Sequence, residues 1–105
     1  LHAGVQAKDP RVTDAAQLSA EHPRYIPEIR EWWSGFDVSG RDIAADFMVM
    51  GVFDSVDARD RYLAHPHHRE GVRAWADLAA WKIIDVDENV ARSVGSTTEE
   101  QAGGE

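Results

Sequence analysis

The sequence predicts an α+β domain, a β-sheet with helices packed on one of its faces. Apolar side chains alternate with period two through Asp46–Phe53, which reads as a strand. Two helix starts, Ser55 as a cap and Pro66 as a first helical residue, stand close behind that strand. Across residues 1–87 the stretches follow in the order strand, helix, strand, strand, helix pair, strand. Strands and helices mixed in this way fit a sheet covered on one side.

Taken in order, His2–Lys8 carries small and apolar side chains in loose alternation (Val5, Ala7) and is expected to form the first strand. Asp9-Pro10 reads as a turn, because Pro fixes its own φ and restricts the residue before it. Thr13 is the expected cap of a helix from Asp14 to His22, with Asp14 as acid in its first turn and Pro23 ending or kinking it. Ile26-Pro27-Glu28-Ile29 connects to a second strand, Arg30–Val38. There Trp32 and Trp33 must face opposite sides, one toward the core and one toward a seam or pocket. Ser39-Gly40 is a turn.

The third strand places Phe47, Val49, Gly51 and Phe53 on one face and Met48, Met50 and Val52 on the other, so burial on both sides is expected. Helices follow at Val56–Ala64 and from Pro66 to about Ala80, the second with Val72, Trp75, Leu78 and Ala79 on its apolar stripe. Trp81–Val86 is expected to be a fourth strand, and Trp75 and Trp81 to pack helix against sheet. Residues 1–87 would form the domain. Residues 88–105, rich in Gly, Ser, Thr and Glu, are expected to be a flexible acidic tail.

Composition excludes several functions. The 105 residues carry a formal net charge of −8 and no run of Lys or Arg, which argues against nucleic acid and anionic membrane surfaces as partners. The absence of cysteine rules out disulfides, thiol nucleophiles and Cys-based metal clusters, and fits a cytoplasmic location. No apolar stretch approaches the length needed to span a bilayer, so no membrane role is expected. Adjacent His67 and His68 cannot easily share one ion on a helix, so no metal is expected.

The stretch Phe53-Asp54-Ser55-Val56, followed by Tyr62-Leu63-Ala64-His65-Pro66-His67-His68, resembles the stress-responsive A/B barrel (Dabb) family. His2, Ile26-Pro27, Gly35, Asp46 and Asp85 add to the likeness, which covers nearly all of residues 1–87. It implies a ferredoxin-like, four-stranded antiparallel sheet that pairs with the sheet of a second chain, giving a dimeric α/β barrel. Among members that act as polyketide cyclases, similar to the olivetolic acid-forming type, a Tyr and a His matching Tyr62 and His68 drive an intramolecular aldol closure. His65, His2, Phe47, Val49 and Trp75 would then line the substrate site. Phe47 stands where the cyclase has a pocket His, and Gly71 where it has an aromatic, which points to a different substrate.

The chemistry is sensible for these side chains. An aldol-type cyclisation needs a base to remove a proton beside a carbonyl and a donor to hold the enolate oxygen. His68, in the first turn of the Pro66 helix, sits at the positive end of the dipole, which disfavours imidazolium and keeps a neutral base. Tyr62 on the preceding helix is the expected donor, and His65 an orienting partner. His67 is expected to point away and play no part. The expectation is a cofactor-independent homodimer taking a small hydrophobic, carbonyl-bearing ligand. The alternatives are a non-catalytic, stress-related binding dimer and a cofactor-free monooxygenase of the same shape.

Overall fold

A computed structural model describes residues 1–87 of the chain. The predicted tail lies outside the described residues. The elements run α1 (Pro10–Ala20), α2 (His22–Tyr25), β1 (Glu31–Phe36), β2 (Phe47–Val52), α3 (Val56–Ala64) and α4 (Pro66–Ala76).

Helix α1 begins earlier than Thr13 suggests. Asp9 is its cap, accepting from the Arg11 amide at 2.9 Å, and Pro10 takes the first helical position, where its missing N–H is no loss. The Thr13 hydroxyl instead donates back to the Pro10 carbonyl at 2.9 Å, a bond available only once the helix is already under way. Arg11 also holds the Asp9 carboxylate with its guanidinium, and the two contacts keep that carboxyl below its ordinary range. Val12, Ala15 and Ser19 form the buried stripe. Glu21 ends α1 and opens the single turn α2, so Pro23 falls where no amide is required.

Val12, Ala15 and Leu78 make the main core, with Leu1, Val5, Ala74 and Trp75 packed around it. Ile26 is fully buried just beyond α2. Burying each of the larger apolar side chains contributes about 2 kcal/mol.

The antiparallel pair β1–β2 runs from Glu31 opposite Val52 to Phe36 opposite Phe47. Residues opposite one another share a face, so Trp32, Ser34 and Phe36 lie with Gly51, Val49 and Phe47. This face meets the helices: the Trp32 indole donates to the Ser19 carbonyl at 3.0 Å, and the Phe47 and Trp75 rings lie 5.0 Å apart. Trp32 lies across Gly51 so closely that a Cβ there would be 2.9 Å from its ring, which is why the strand needs glycine at that point. Beyond β1, the Asp37 carboxylate accepts from Ser39 and Gly40, and Gly40 takes φ +68, closing the predicted turn.

Three expectations need correction. Among the described residues the sheet has two strands rather than four. His2–Lys8 forms turns, with Val5 bonded to His2 and Asp9 to Gln6, and Gly4 at φ +84 takes the chain out of extended geometry. Trp81–Val86 makes no ladder among the described residues, and Ile83 and Ile84 are 75% and 83% exposed. Second, the face carrying Trp33, Met48 and Met50 is about half exposed rather than buried, because no layer among the described residues covers it. Third, α4 stops at Ala76, and Trp81 is half exposed rather than packed between helix and sheet.

Candidate functional site

Tyr62 and His68 are brought together by a one-residue corner. Ser55 caps α3 by accepting from the Ala58 amide at 3.0 Å, which fixes where the helix begins and hence which way Tyr62 points. His65 ends α3 and caps α4, its Nδ1 accepting from the His67 amide at 3.0 Å, and Pro66 follows as the first residue of α4. Tyr62 therefore stands in the last turn of one helix and His68 in the first turn of the next. Their ring centroids are 4.4 Å apart at 50°.

Hydrogen bonding assigns the protons. The Leu63 carbonyl can only accept, so His68 Nδ1, 3.2 Å away, carries the hydrogen, and Nε2 is the basic nitrogen of the neutral ring. For His65 the logic reverses: its Nδ1 accepts from an amide, so its proton sits on Nε2. Burial lowers the His68 pKa, and the bond to Leu63 only partly opposes that, so the ring stays a neutral base. Burial pushes the Tyr62 phenol up to about 12, keeping it protonated as a hydrogen-bond donor.

The centre of the cluster is a residue with no signature in sequence. His22, on α2, is 3% exposed and touches the rings of Trp32, Tyr62, His67 and His68, with centroids 4.8 to 6.4 Å away. Its Nδ1 faces the Nδ1 of His67 at 2.7 Å, so one donates and the other accepts. Its far edge rests on Gly71, where a Cβ would come within 2.9 Å of Nε2. Burial lowers the His22 pKa to about 4, helped by the charges of His67, His68 and His65. Tyr25 stacks on the outer side of His67 at 4.4 Å and 22°. Phe53 closes the other side of Tyr62 at 4.8 Å.

The remaining predicted residues lie elsewhere. Phe47 and Trp75 pair in a second aromatic group with Phe36, joined to the first through Ser19, whose carbonyl accepts from Trp32 and whose hydroxyl accepts from Trp75 at 2.9 Å. Val49 is on the same sheet face and 46% exposed. The His2 amide bonds to the Leu78 carbonyl, beyond the far end of α4, which puts it about 15 Å along the helix direction from His68. His67, expected to play no part, is the direct partner of His22. Two shallow surface depressions, one around Gly4 to Pro10 and one between Arg11 and Arg73, both lie away from the Tyr62 cluster. Among the described residues no three His, Asp or Glu are placed to hold a metal ion.

Comparisons with known proteins fit this geometry. The profile of the Stress responsive A/B Barrel Domain matches residues 4–90. An uncharacterized protein of Streptomyces coelicolor is 36% identical over 87 residues, covering 83% of this chain and 90% of its own length. The crystal structure of a dimeric ferredoxin-like protein of unknown function from Thermobifida fusca superposes with a TM-score of 0.63. It is 25% identical, over 75% of this chain and 76% of that one.

Proposed function

This chain belongs to the stress-responsive A/B barrel domain family, with a ferredoxin-like α+β fold, and on that premise we propose that it works as a homodimer on a small hydrophobic, carbonyl-bearing molecule. The reaction would be a cofactor-independent, aldol-type cyclisation carried by Tyr62 and His68. The observation that carries this reading is the proton assignment: a neutral His68 whose basic Nε2 belongs to a ring 4.4 Å from a protonated phenol.

In the proposed step His68 Nε2 removes a proton from the carbon beside one carbonyl, and the Tyr62 hydroxyl donates to the enolate oxygen. The enolate carbon attacks a second carbonyl of the same molecule, forming the new carbon–carbon bond. The resulting alkoxide recovers the proton from the His68 imidazolium, so the enzyme returns to its starting state. Homodimerisation is supported by the half-exposed face of Trp33, Met48 and Met50 and by the dimeric relative.

A second reading has its own support. His65 Nδ1 is engaged in capping and His68 Nδ1 in a backbone bond, as a purely structural corner would have them. On that reading the protein is a non-catalytic binding dimer. A panel of linear polyketones, assayed for cyclised product by mass spectrometry, separates the two. The catalytic reading expects His68→Ala to lower turnover by about 100-fold or more and Tyr62→Phe by about tenfold, with unchanged thermal midpoints within about 3 °C. A fully active His68→Ala variant sinks it. Ligand binding without turnover, unaffected by either substitution, establishes the second reading.

A further inference from the structure

We propose that the buried His22 and the half-buried His67 form an imidazole pair that accepts one proton but not two, and that this pair guards the neutral state of His68. The proposal deepens the reading of the Tyr62–His68 site and rests on it for its functional meaning, while the pair itself can be tested without any substrate.

The geometry restricts the pair to one added proton. With the two Nδ1 atoms 2.7 Å apart, neutral rings make a single N–H···N bond. Adding one proton to the pair keeps that bond and strengthens it, because an imidazolium then donates to an imidazole. Adding a second would set N–H against N–H across the same gap. Nor can His22 swing aside: Gly71 is against its Nε2 edge, Trp32 lies 5.6 Å from its centroid, and the residue is 3% exposed. Tyr25, stacked on the other side of His67, holds the outer ring in place.

Among the described residues, the charges that bear on His22 bring no counter-charge to relieve the second proton. The charges that act on His22 are those of His67, His68 and His65, all imidazoles. From α3 the facing titratable group is Tyr62, and from β1 it is Trp32 that faces the ring and brings no charge. On the His22 stretch itself, Glu21 accepts from Gln17, while Arg24 and Tyr25 are exposed. A single positive charge on the pair would therefore lie beside His68, whose ring centroid is 5.9 Å from that of His22. Like charge at that range disfavours imidazolium at His68, so the base stays unprotonated into weakly acidic solution. His22 and His67 are positioning residues in this scheme: they act through His68 and need no contact with a ligand.

The test is an NMR titration of the five imidazoles, His2 included, in the full chain between pH 8 and the acid limit of folding, with the amide spectrum confirming the fold at each point. In the wild type, His22 and His67 are expected to report the same two separated steps. Replacing His67 with Phe keeps a ring for Tyr25 to stack on but removes the charge. The His68 midpoint should then rise by about half a unit to one unit, and His22 should show a single step. His67→Gln, which can still bond to His22 but cannot titrate, should move His68 in the same direction. Independent single steps for His22 and His67 in the wild type would overturn the proposal, as would a His68 midpoint unmoved by both substitutions. Stoichiometric Zn²⁺ bound between the two rings would overturn it too. Absence of any turnover by the protein would defeat the catalytic reading and leave this result standing.

Discussion

Two regions of this small protein treat their aromatic and apolar surface in opposite ways. At the junction of α2, α3 and α4, rings from Trp32, His22, Tyr62, His67 and His68 enclose one another, and among the described residues no buried side-chain polar atom lacks a partner. On the outward sheet face, Trp33, Met48 and Met50 are about half exposed, and beyond the helices Ile83, Ile84 and Val86 are more so. The first region is completed within the chain. The second stays open among the described residues, and a domain of this size has little core to spare for such exposure, which is where the proposed homodimer would form. The difference teaches that the imidazole cluster can be tested in a single chain, whereas the sheet face is tested through the proposed homodimer.

The largest effect should come from attacking the open face. The double substitution Trp33→Asp with Met50→Asp puts two charges into the face, opposite one another in register. It should weaken homodimerisation by about 1000-fold or more, read by light scattering over a concentration series. An unchanged dimer would move the seam elsewhere and remove the contrast drawn here.

Acid should act on the closed region instead. A histidine held near 4 when folded and near 6.5 when unfolded leaves the unfolded chain binding the proton first. Stability from His22 is therefore full above about pH 6.5 and is lost as pH falls toward 4, reaching about 3 kcal/mol there. His68, also lowered by burial, adds in the same direction. Urea midpoints at pH 7 and pH 4.5 check this, and a His22→Asn variant should show the shallower pH dependence. Parallel slopes would mean that the acid sensitivity arises elsewhere.

A smaller, local effect is expected at Gly71. Its missing side chain leaves room for the His22 ring, so Gly71→Ala should cost about 2 kcal/mol through displacement of a buried imidazole. Combined with His22→Ala, most of that loss should vanish in a double-mutant cycle. Additive losses would show that the glycine is needed for the backbone rather than for the ring. The smallest effect concerns the exposed pair of Arg59 and Asp85. Asp85→Ala should change stability by less than about 0.5 kcal/mol, since solvent screens the pair.

What could be read in the sequence was what local chemistry decides. The alternation of Phe47–Val52, the Ser55 cap, the Ser39-Gly40 turn and Pro66 as a helix opener depend on a few neighbouring residues, and each is found in place. The start of α1 was less legible because Asp9 and Thr13 both have capping side chains, and only Asp9 is followed by a proline in the first helical position. Outer strands depend on partners far along the chain or outside it, so apolar character at Val5 or Ile83 could not settle whether a ladder forms. At the site, the Tyr62–His68 spacing was legible, but His22 was not. It meets His67 across 45 residues, and only the packing of α2 against α4 brings them together. The rule that neighbouring helix positions diverge did not separate His67 from His68: both rings reach His22, with centroids 4.8 and 5.9 Å from its own, because α2 fills the space in front of the first turn of α4.

The single-residue corner at His65 has a consequence for chain length. Because one residue ends α3 and caps α4, the angular phase between the two helices is set by a hinge with no slack. Inserting or deleting one residue between His65 and His68 would turn His68 by about 100° around its helix, carrying it away from Tyr62 while leaving both helices intact. Loops elsewhere, such as the stretch from Asp37 to Asp46, can change length without altering that phase. Indels are therefore a sharper probe of this corner than point substitutions: they separate the presence of the two side chains from their alignment.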